Sequence, residues 1–340
     1  MALVGCGYWG AHLARNVAAC PKASLVALCD SDFAAVLRVG LRFPGNIKRC
    51  VDLNQVLADP AIEAVLIATP SGLHHRHALA ALEARKHVFV EKPLAMTSAD
   101  AGELIRAARD HGRTLMVGHT FLYNNVVHEV KRRITEGQLG TVYYAYSQRL
   151  NLGRFRRDSD VLWTLAPHDL SILNYLFDGR PSRVAARGRA FIHADGVAEL
   201  AFADLEYPGG RSAHLHMSWL DPQKRREMVI VGSERMLVYD DMNADAHIRL
   251  YDKKAEAEHQ RDPADFADFT TRLRAGDLVI PNIRLVEPVA AEVEHFADCV
   301  REGKVPETDG RHGLEIVLAL ESLSRSMAED GRPVAVAYPD

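Results

Sequence analysis

The first 120 residues alternate short apolar runs with longer amphipathic segments, and this alternation constrains the fold more than any other feature. Ala2–Val4, Leu25–Cys29, Ala64–Ala68, Val88–Glu91 and Leu115–Gly118 are brief and continuous, as buried strands are. Between them, Trp9–Ala19, Asp32–Arg42, His74–Arg85 and Ser98–His111 carry helical spacing. Thr97-Ser98-Ala99-Asp100 announces the last of these helices as a loose capping box. Strand, helix, strand in repetition requires right-handed crossovers. The expected fold class is therefore α/β, with an N-terminal doubly wound parallel sheet.

The pattern changes after Gly118. One helix, Val126–Glu136, ends at Gly137 and Gly140. Strands then follow with little helix between them: Val142–Leu150, Val184–Phe191, Ala198–Tyr207, Arg211–Trp219, Glu227–Val231 and Met236–Tyr239. Pro208-Gly209-Gly210 reads as a hairpin turn, and Asp160–Phe177 is an exception with helical spacing. The tail returns to helix at Val289–Arg301 and Leu314–Met327. This predicts a C-terminal α+β domain on a large, mostly antiparallel open sheet. The expected domains are 1–121 and 122–340.

Composition excludes several classes. Hydrophobic residues make up 48% and charged residues 25%, near the averages for a soluble globular protein. No run of about 18 apolar residues suggests a membrane span. Met1-Ala2-Leu3-Val4-Gly5 lacks the basic region and apolar stretch of a signal peptide. A net charge of −4 supplies no footprint for a nucleic-acid backbone. Five cysteines, odd in number and without CxxC spacing, read as reduced thiols in a cytoplasm. The His74, His75, His77 and His214, His216 clusters have no adjacent Cys, Asp or Glu to complete a ligand set, so no metal is expected.

Gly5-Cys6-Gly7-Tyr8-Trp9-Gly10 follows an apolar strand and opens a helix inside a βαβ unit. In that context Gly5 permits the tight turn, Gly7 admits a pyrophosphate, and Gly10 allows close helix–strand packing. Tyr8 and Trp9 open the helix whose N–H groups face the anion. Asp30 ends the second strand, where a carboxylate meets the adenosine ribose hydroxyls and repels a 2′-phosphate. The expected cofactor is NAD rather than NADP. Farther on, Val88–Glu91 runs into Lys92-Pro93, which places an ammonium at the carboxyl edge of the sheet. Pro93 holds Lys92 outside the helical region.

Gly5–Gly10, Ala68-Thr69-Pro70-Ser71 with His74, Glu91-Lys92-Pro93 and Pro167-His168-Asp169 together resemble the Gfo/Idh/MocA family. This is the glucose–fructose oxidoreductase and inositol dehydrogenase family. The likeness runs down to Pro306-Glu307-Thr308-Asp309-Gly310. It implies an NAD(P)-binding Rossmann domain and a second domain for substrate and oligomerisation. It also implies that Lys92 reaches nicotinamide ribose and substrate, and that His168 is the general acid/base. Thr69, Pro70, Ser71 and His74 would line the dinucleotide, with Glu91 supporting that wall. A cis peptide before Pro93, and a homodimer or homotetramer through the exposed face of the C-terminal sheet, are further implications.

One position departs from the family pattern. Many of its dehydrogenases carry an aspartate four residues before the histidine, where this chain has Thr164. Thr164 is the candidate partner of His168, offering a hydroxyl but no charge. Asp169 is about 100° around the helix from His168. Directly before that helix stand Arg149, Asn151, Arg154, Arg156 and Arg157, read either as a solvated loop or as a clamp for an anionic group. Tyr123 and Trp163 are candidate sugar-facing aromatics. The expected activity is hydride transfer between NAD and a hydroxyl or keto group of a nucleotide sugar or other anionic sugar. Alternatives are an inositol or simple-sugar dehydrogenase, or a non-catalytic NAD-binding regulator.

Overall fold

A computed structural model describes the chain apart from Pro44, Arg154, residues 156–158, 193–195, 258–270 and Asp340, and apart from the side chains of residues 256, 257, 271 and 272. The chain divides into two compact units. The first comprises Met1–Asn124, Val286–Glu321 and Ala337–Asp340; the second comprises Asn125–Leu285 and Ser322–Val336.

The first unit begins β1 (Ala2–Val4), α1 (Tyr8–Ala19), β2 (Ala27–Cys29), α2 (Phe33–Gly40), β3 (Lys48–Cys50), α3 (Leu53–Leu57) and β4 (Ala64–Ile67). It continues through α4 (His74–Glu83), β5 (His87–Glu91), α5 (Ser98–Asp110) and β6 (Leu115–Gly118). Its strands form a parallel sheet in the order β3-β2-β1-β4-β5-β6. The order reverses at β1, which pairs with β2 on one side and β4 on the other. Such a switch point opens a crevice at the strands' carboxyl ends. The alternation read from the sequence is this sheet. Two elements escape that reading, because β3 is short and polar and α3 is barely more than a helical turn. Thr97 does cap α5, its side chain accepting from the Asp100 N–H at 3.1 Å.

The second unit contains α6 (Asn125–Thr135), β7 (Val142–Leu152), α7 (Val161–Phe177), β8 (Arg183–Arg189), β9 (Leu200–Glu206) and β10 (Ser212–Ser218). Then come β11 (Leu220–Gly232), β12 (Met236–Asp240), β13 (Ile248–Ala257) and β14 (Thr271–Val279). After α8 (Pro288–Glu302) and α9 (Gly310–Ala328), β15 (Val334–Ala335) closes a nine-stranded sheet. Its order is β14-β13-β12-β11-β7-β10-β9-β8-β15, and every pairing except β7 with β10 is antiparallel. In β9, Ala201, Ala203 and Leu205 are buried while Phe202, Asp204 and Glu206 are exposed, the period-two signature of a sheet with one covered face. β13 and β14 went unpredicted because their sequences, IRLYDKKAEA and TRLRAGDLV, put charges through both strands. Among the described residues, no helix is long and apolar enough to cross a membrane. All five cysteines are buried free thiols.

Within the first unit, α8 and the start of α9 complete the Rossmann core. Phe296 meets Phe89 edge-on at 5.8 Å between ring centres. Thr308 is fully buried, donates to the Val117 carbonyl at 2.7 Å and lies 3.2 Å from the Tyr123 hydroxyl. Asp309 caps α9 by accepting from the His312 N–H at 2.9 Å. The Pro306–Gly310 segment is thus a clasp on β6. Thr308→Val keeps the volume but removes the hydroxyl that bonds the Val117 carbonyl, which keeps the His119 N–H at 2.8 Å, and takes the Thr308 partner from the buried Tyr123 hydroxyl. It is expected to lower unfolding stability by about 1–3 kcal/mol, read as the urea midpoint at unchanged slope.

Candidate active site

The turn after β1 has the properties of a dinucleotide cradle. Gly5 adopts φ +100°, and a Cβ there would meet the Ala68 carbonyl oxygen at 2.5 Å. A Cβ on Gly10 would lie 1.9 Å from the Gly5 oxygen. Both glycines are dictated by backbone approach. Gly7 has nothing within 4 Å of where a Cβ would stand, leaving room for a pyrophosphate. Gly7 caps α1 without a side-chain acceptor, and the first turn carries no acid. The helix N–H groups therefore remain available to an anion. Asp30 Oδ2 accepts from the Cys6 N–H at 2.6 Å and Oδ1 from the Asp32 N–H at 2.9 Å, which pins the carboxylate beside the turn. Tyr8 is 71% exposed at the mouth. These residues fit a bound dinucleotide.

The loop after β4 forms the next wall. Thr69 Oγ1 lies 3.3 Å from His77 Nδ1, and Ser71 opens a single 3-10 turn after Pro70. His74 is 1% exposed, so it is a brace and not a lining group, which corrects the expectation for it. Its Nδ1 faces the Pro93 carbonyl at 2.7 Å and its Nε2 the Thr69 carbonyl at 2.9 Å. Burial lowers its pKa, while the two carbonyls pull in the opposite direction. The Lys92–Pro93 peptide is cis, as the family resemblance implies.

Glu91 ends β5 in a buried position opposite Gly118 of β6. A Cβ on Gly118 would come within 3.0 Å of Glu91 Oε1, so glycine makes room for the carboxyl group. The Trp9 indole N–H donates to that same oxygen. Burial raises the Glu91 pKa to about 7 against the opposing pull of Lys92 and Trp9. Glu292, on α8 and fully buried, accepts from the Thr120 hydroxyl at 2.8 Å. Burial, then the Glu91 charge, pushes its pKa well above the usual carboxylate range. His119 and His312 meet edge-on at 4.9 Å. Burial lowers both, His312 to about 4, and the charges of His312 and Lys92 press further on His119. Sequence reasoning missed Glu292, His119 and His312. Only His119, directly after a strand end, carried a local signal.

In the second unit, His168 follows Pro167 within α7. The Thr164 hydroxyl donates to the Asp160 and Val161 carbonyls at 3.0 and 3.1 Å, within its own helix. That engagement argues against Thr164 as a proton-handling partner. The Trp163 indole N–H donates to Ser324 Oγ at 2.9 Å. Arg149 and Asn151 lie in β7 and not in a loop. Arg149 is buried, and its fork holds Asp169 through Nε (3.0 Å) and Nη2 (2.8 Å). That pairing ties Arg149 to α7, in a stretch whose sequence reads either as a solvated loop or as an anion clamp. Asn151 sits beside Gly153, whose Cβ would meet Asn151 Oδ1 at 2.7 Å. Arg154, Arg156 and Arg157 lie outside the described residues. Tyr123, 7% exposed and bonded to Thr308, belongs to the core of the first unit, which corrects its reading as sugar-facing. Burial pushes its phenol upward.

His75 does have acidic neighbours, Asp100 and Glu103, supplied by α5. This corrects the view that the cluster lacks them. Its Nε2 bonds Glu103 at 2.7 Å while Nδ1 faces Asp100 at 3.9 Å, so the two ring nitrogens serve different carboxylates.

The parallel sheet, its uncapped glycine turn and buried Glu91 beside Lys92 define the class as a dinucleotide-dependent oxidoreductase. Residues 1–119 match the Gfo/Idh/MocA oxidoreductase family with its NAD-binding Rossmann fold, and residues 127–238 match that family's C-terminal domain. The chain belongs to this family and is an NAD(P)-dependent oxidoreductase. It is 26% identical to scyllo-inositol 2-dehydrogenase (NAD(+)) of Bacillus subtilis strain 168, over 98% of this chain and 95% of that one. It is also 26% identical to a scyllo-inositol 2-dehydrogenase (NADP(+)) of that organism, over 82% and 80% of the two chains. The UDP-N-acetylglucosamine 3-dehydrogenase of Acidithiobacillus ferrooxidans shares the fold, with TM-score 0.75 and 24% identity over 96% and 97% of the chains.

The raised carboxyl pKa values have a consequence for stability. A native state that holds a proton the unfolded chain releases loses stability as pH rises from the unfolded pKa, about 4.3, through the folded one. The buried histidines contribute the opposite slope, so the comparison must be made against a variant. Glu292→Gln removes one of the raised carboxyls. The urea midpoint of this variant is expected to fall less, or rise more, between pH 5 and 7.5 than that of the wild type. Parallel pH profiles would show that Glu292 is ionised in the native state.

Proposed function

We propose that the chain is an NAD-dependent dehydrogenase for a secondary hydroxyl of a neutral sugar or cyclitol, with residues 1–121 holding the cofactor and 122–340 serving substrate and assembly. The observation that carries the chemistry is Lys92, set at the carboxyl edge of β5 between buried Glu91 and cis-Pro93. The bound nicotinamide supplies hydride exchange at its C4. Lys92 orients the substrate oxygen and stabilises charge developing on it. His168 exchanges the hydroxyl proton as general acid/base. Asp30, fixed beside the glycine turn, favours NAD by repelling a 2′-phosphate. Tyr8, Trp9, Thr69, Pro70 and Ser71 form the dinucleotide wall, and Trp163 and Asn151 are candidates for substrate contact. We propose a cytoplasmic homodimer or homotetramer that assembles through the exposed face of the nine-stranded sheet.

The Arg149–Asp169 pair supports a neutral substrate. A buried guanidinium already holding a carboxylate bidentately is not the anion clamp that a nucleotide sugar or uronate would require. The full-length relative acting on scyllo-inositol supports the neutral reading.

Turnover measured as NADH formation is expected with inositols or neutral aldoses, and Arg154→Glu should leave that KM within about twofold. Activity confined to UDP-sugars or uronates, with KM rising sharply in Arg154→Glu, would restore the anionic alternative. Lys92→Ala should lower kcat by about 10²–10³-fold with the thermal midpoint unchanged, the scale of losing one electrostatic stabiliser. Near-normal kcat would remove Lys92 from the mechanism.

Cofactor choice is checked separately, by fluorescence titration with NADH and NADPH. NADH is expected to bind at least tenfold tighter, and Asp30→Ser to narrow the ratio. Tighter NADPH binding by the wild type would refute the assignment.

A further inference from the structure

We propose a second ligand site, for a phosphoryl dianion, at the amino-terminal edge of the six-stranded sheet. A pocket of about 360 Å³ opens there, against the starts of β5 and β6. Dinucleotide folds bind their cofactors at the carboxyl ends of the strands. This pocket lies a strand's length away from that edge, about 15 Å at 3.3 Å per residue. It therefore cannot be part of the crevice that Gly5 and Lys92 border. Its volume is at the small end for a built ligand site and suits a monosaccharide phosphate, not a dinucleotide.

Charge decides the ligand class. Arg109, Arg113, Lys304 and Arg311 line the pocket, and Asp309 is the one acidic residue among them. Asp309 is occupied in capping α9 through the His312 N–H. His87 adds no positive charge at neutral pH, since burial and then the Arg113 charge lower its pKa. Among the described residues, Arg109 and Lys304 pair with solvent-exposed neighbours, Asp110 and Glu302, and such pairs are weak. Arg311 makes no ion pair among the described residues. Arg113 donates to His87 Nε2 at 3.1 Å, while its Nε is buried without a hydrogen-bond acceptor. Four cations against one engaged carboxylate match a dianion better than a monocarboxylate, and guanidinium forks suit phosphate oxygens. The apolar floor of the pocket leaves room for the carbon skeleton of a phosphomonoester.

Equilibrium dialysis with radiolabelled inorganic phosphate at fixed ionic strength tests the site, with NADH absent and then saturating. One saturable phosphate per chain is expected to survive saturating NADH. It should weaken at least tenfold in Arg311→Glu and in Arg113→Gln, with NADH affinity unchanged. Arg311 is exposed, so its variant keeps the test valid even if Arg113→Gln is destabilised. Unlabelled glucose 6-phosphate that displaces the label at lower concentration than unlabelled phosphate would identify a phosphorylated metabolite; equal displacement would assign the site to free phosphate. Non-saturable uptake, competition by NADH, or full binding in Arg311→Glu would overturn the proposal.

Discussion

A carboxyl group deprived of water stands at the carboxyl end of β5, and the arrangement of the cofactor unit follows from how it is accommodated. Glu91 is buried between the Trp9 indole, which donates to it, and the Lys92 that follows it. Gly118 on the next strand makes room for it, since a Cβ there would press to 3.0 Å from the carboxyl oxygen. Trp9 belongs to the glycine-rich turn, so the hydrogen bond ties the dinucleotide cradle to the strand that presents Lys92. His74 packs behind the wall, its two ring nitrogens facing the Pro93 and Thr69 carbonyls, with the single N–H of the neutral ring donating to one of them. The result is a preorganised edge whose polar groups are oriented before any ligand arrives, the condition under which electrostatic catalysis is effective.

The second unit applies the same physics to a different end. Arg149 of β7 and Asp169 of α7 form a bidentate pair with almost no exposure. Removing one member of such a pair typically costs about 3–5 kcal/mol, because the other charge is left buried and alone. Asp169 adjoins His168, so the pair fixes the register of α7 against the sheet at the place where the proposed acid/base residue emerges. The Thr164 hydroxyl, one turn before His168, donates to the Asp160 and Val161 carbonyls of its own helix.

Periodicity and spacing made the parallel sheet, the hairpin at Pro208–Gly210 and the glycine turn legible, because each depends on residues close in sequence. What they could not show depends on distant segments. Glu292 and His312 come from α8 and α9, nearly two hundred residues after the strands they cover, and nothing local marks a glutamate as destined for burial. Arg149 read as part of a basic stretch because its partner is twenty residues away on another element. Tyr123 and His74 drew functional readings from their chemistry, whereas their burial, the Tyr123 bond to Thr308 and the contact of the His74 ring with the Thr69 and Pro93 carbonyls give each a structural setting. The acidic neighbours of His75 were invisible for the same reason, since Asp100 and Glu103 arrive from α5.

Glu91 is a buried carboxyl hydrogen-bonded to Trp9 and poised near neutrality, and tryptophan emission reports on it directly. Trp9 donates to Glu91 Oε1, so ionisation of that carboxyl must change the indole environment. The account predicts that emission of the ligand-free protein titrates with a midpoint of about 7 and that the transition vanishes in Glu91→Gln while the other two tryptophans, Trp163 and Trp219, are untouched. An emission profile flat between pH 5.5 and 8.5, or an identical transition in Glu91→Gln, would contradict it.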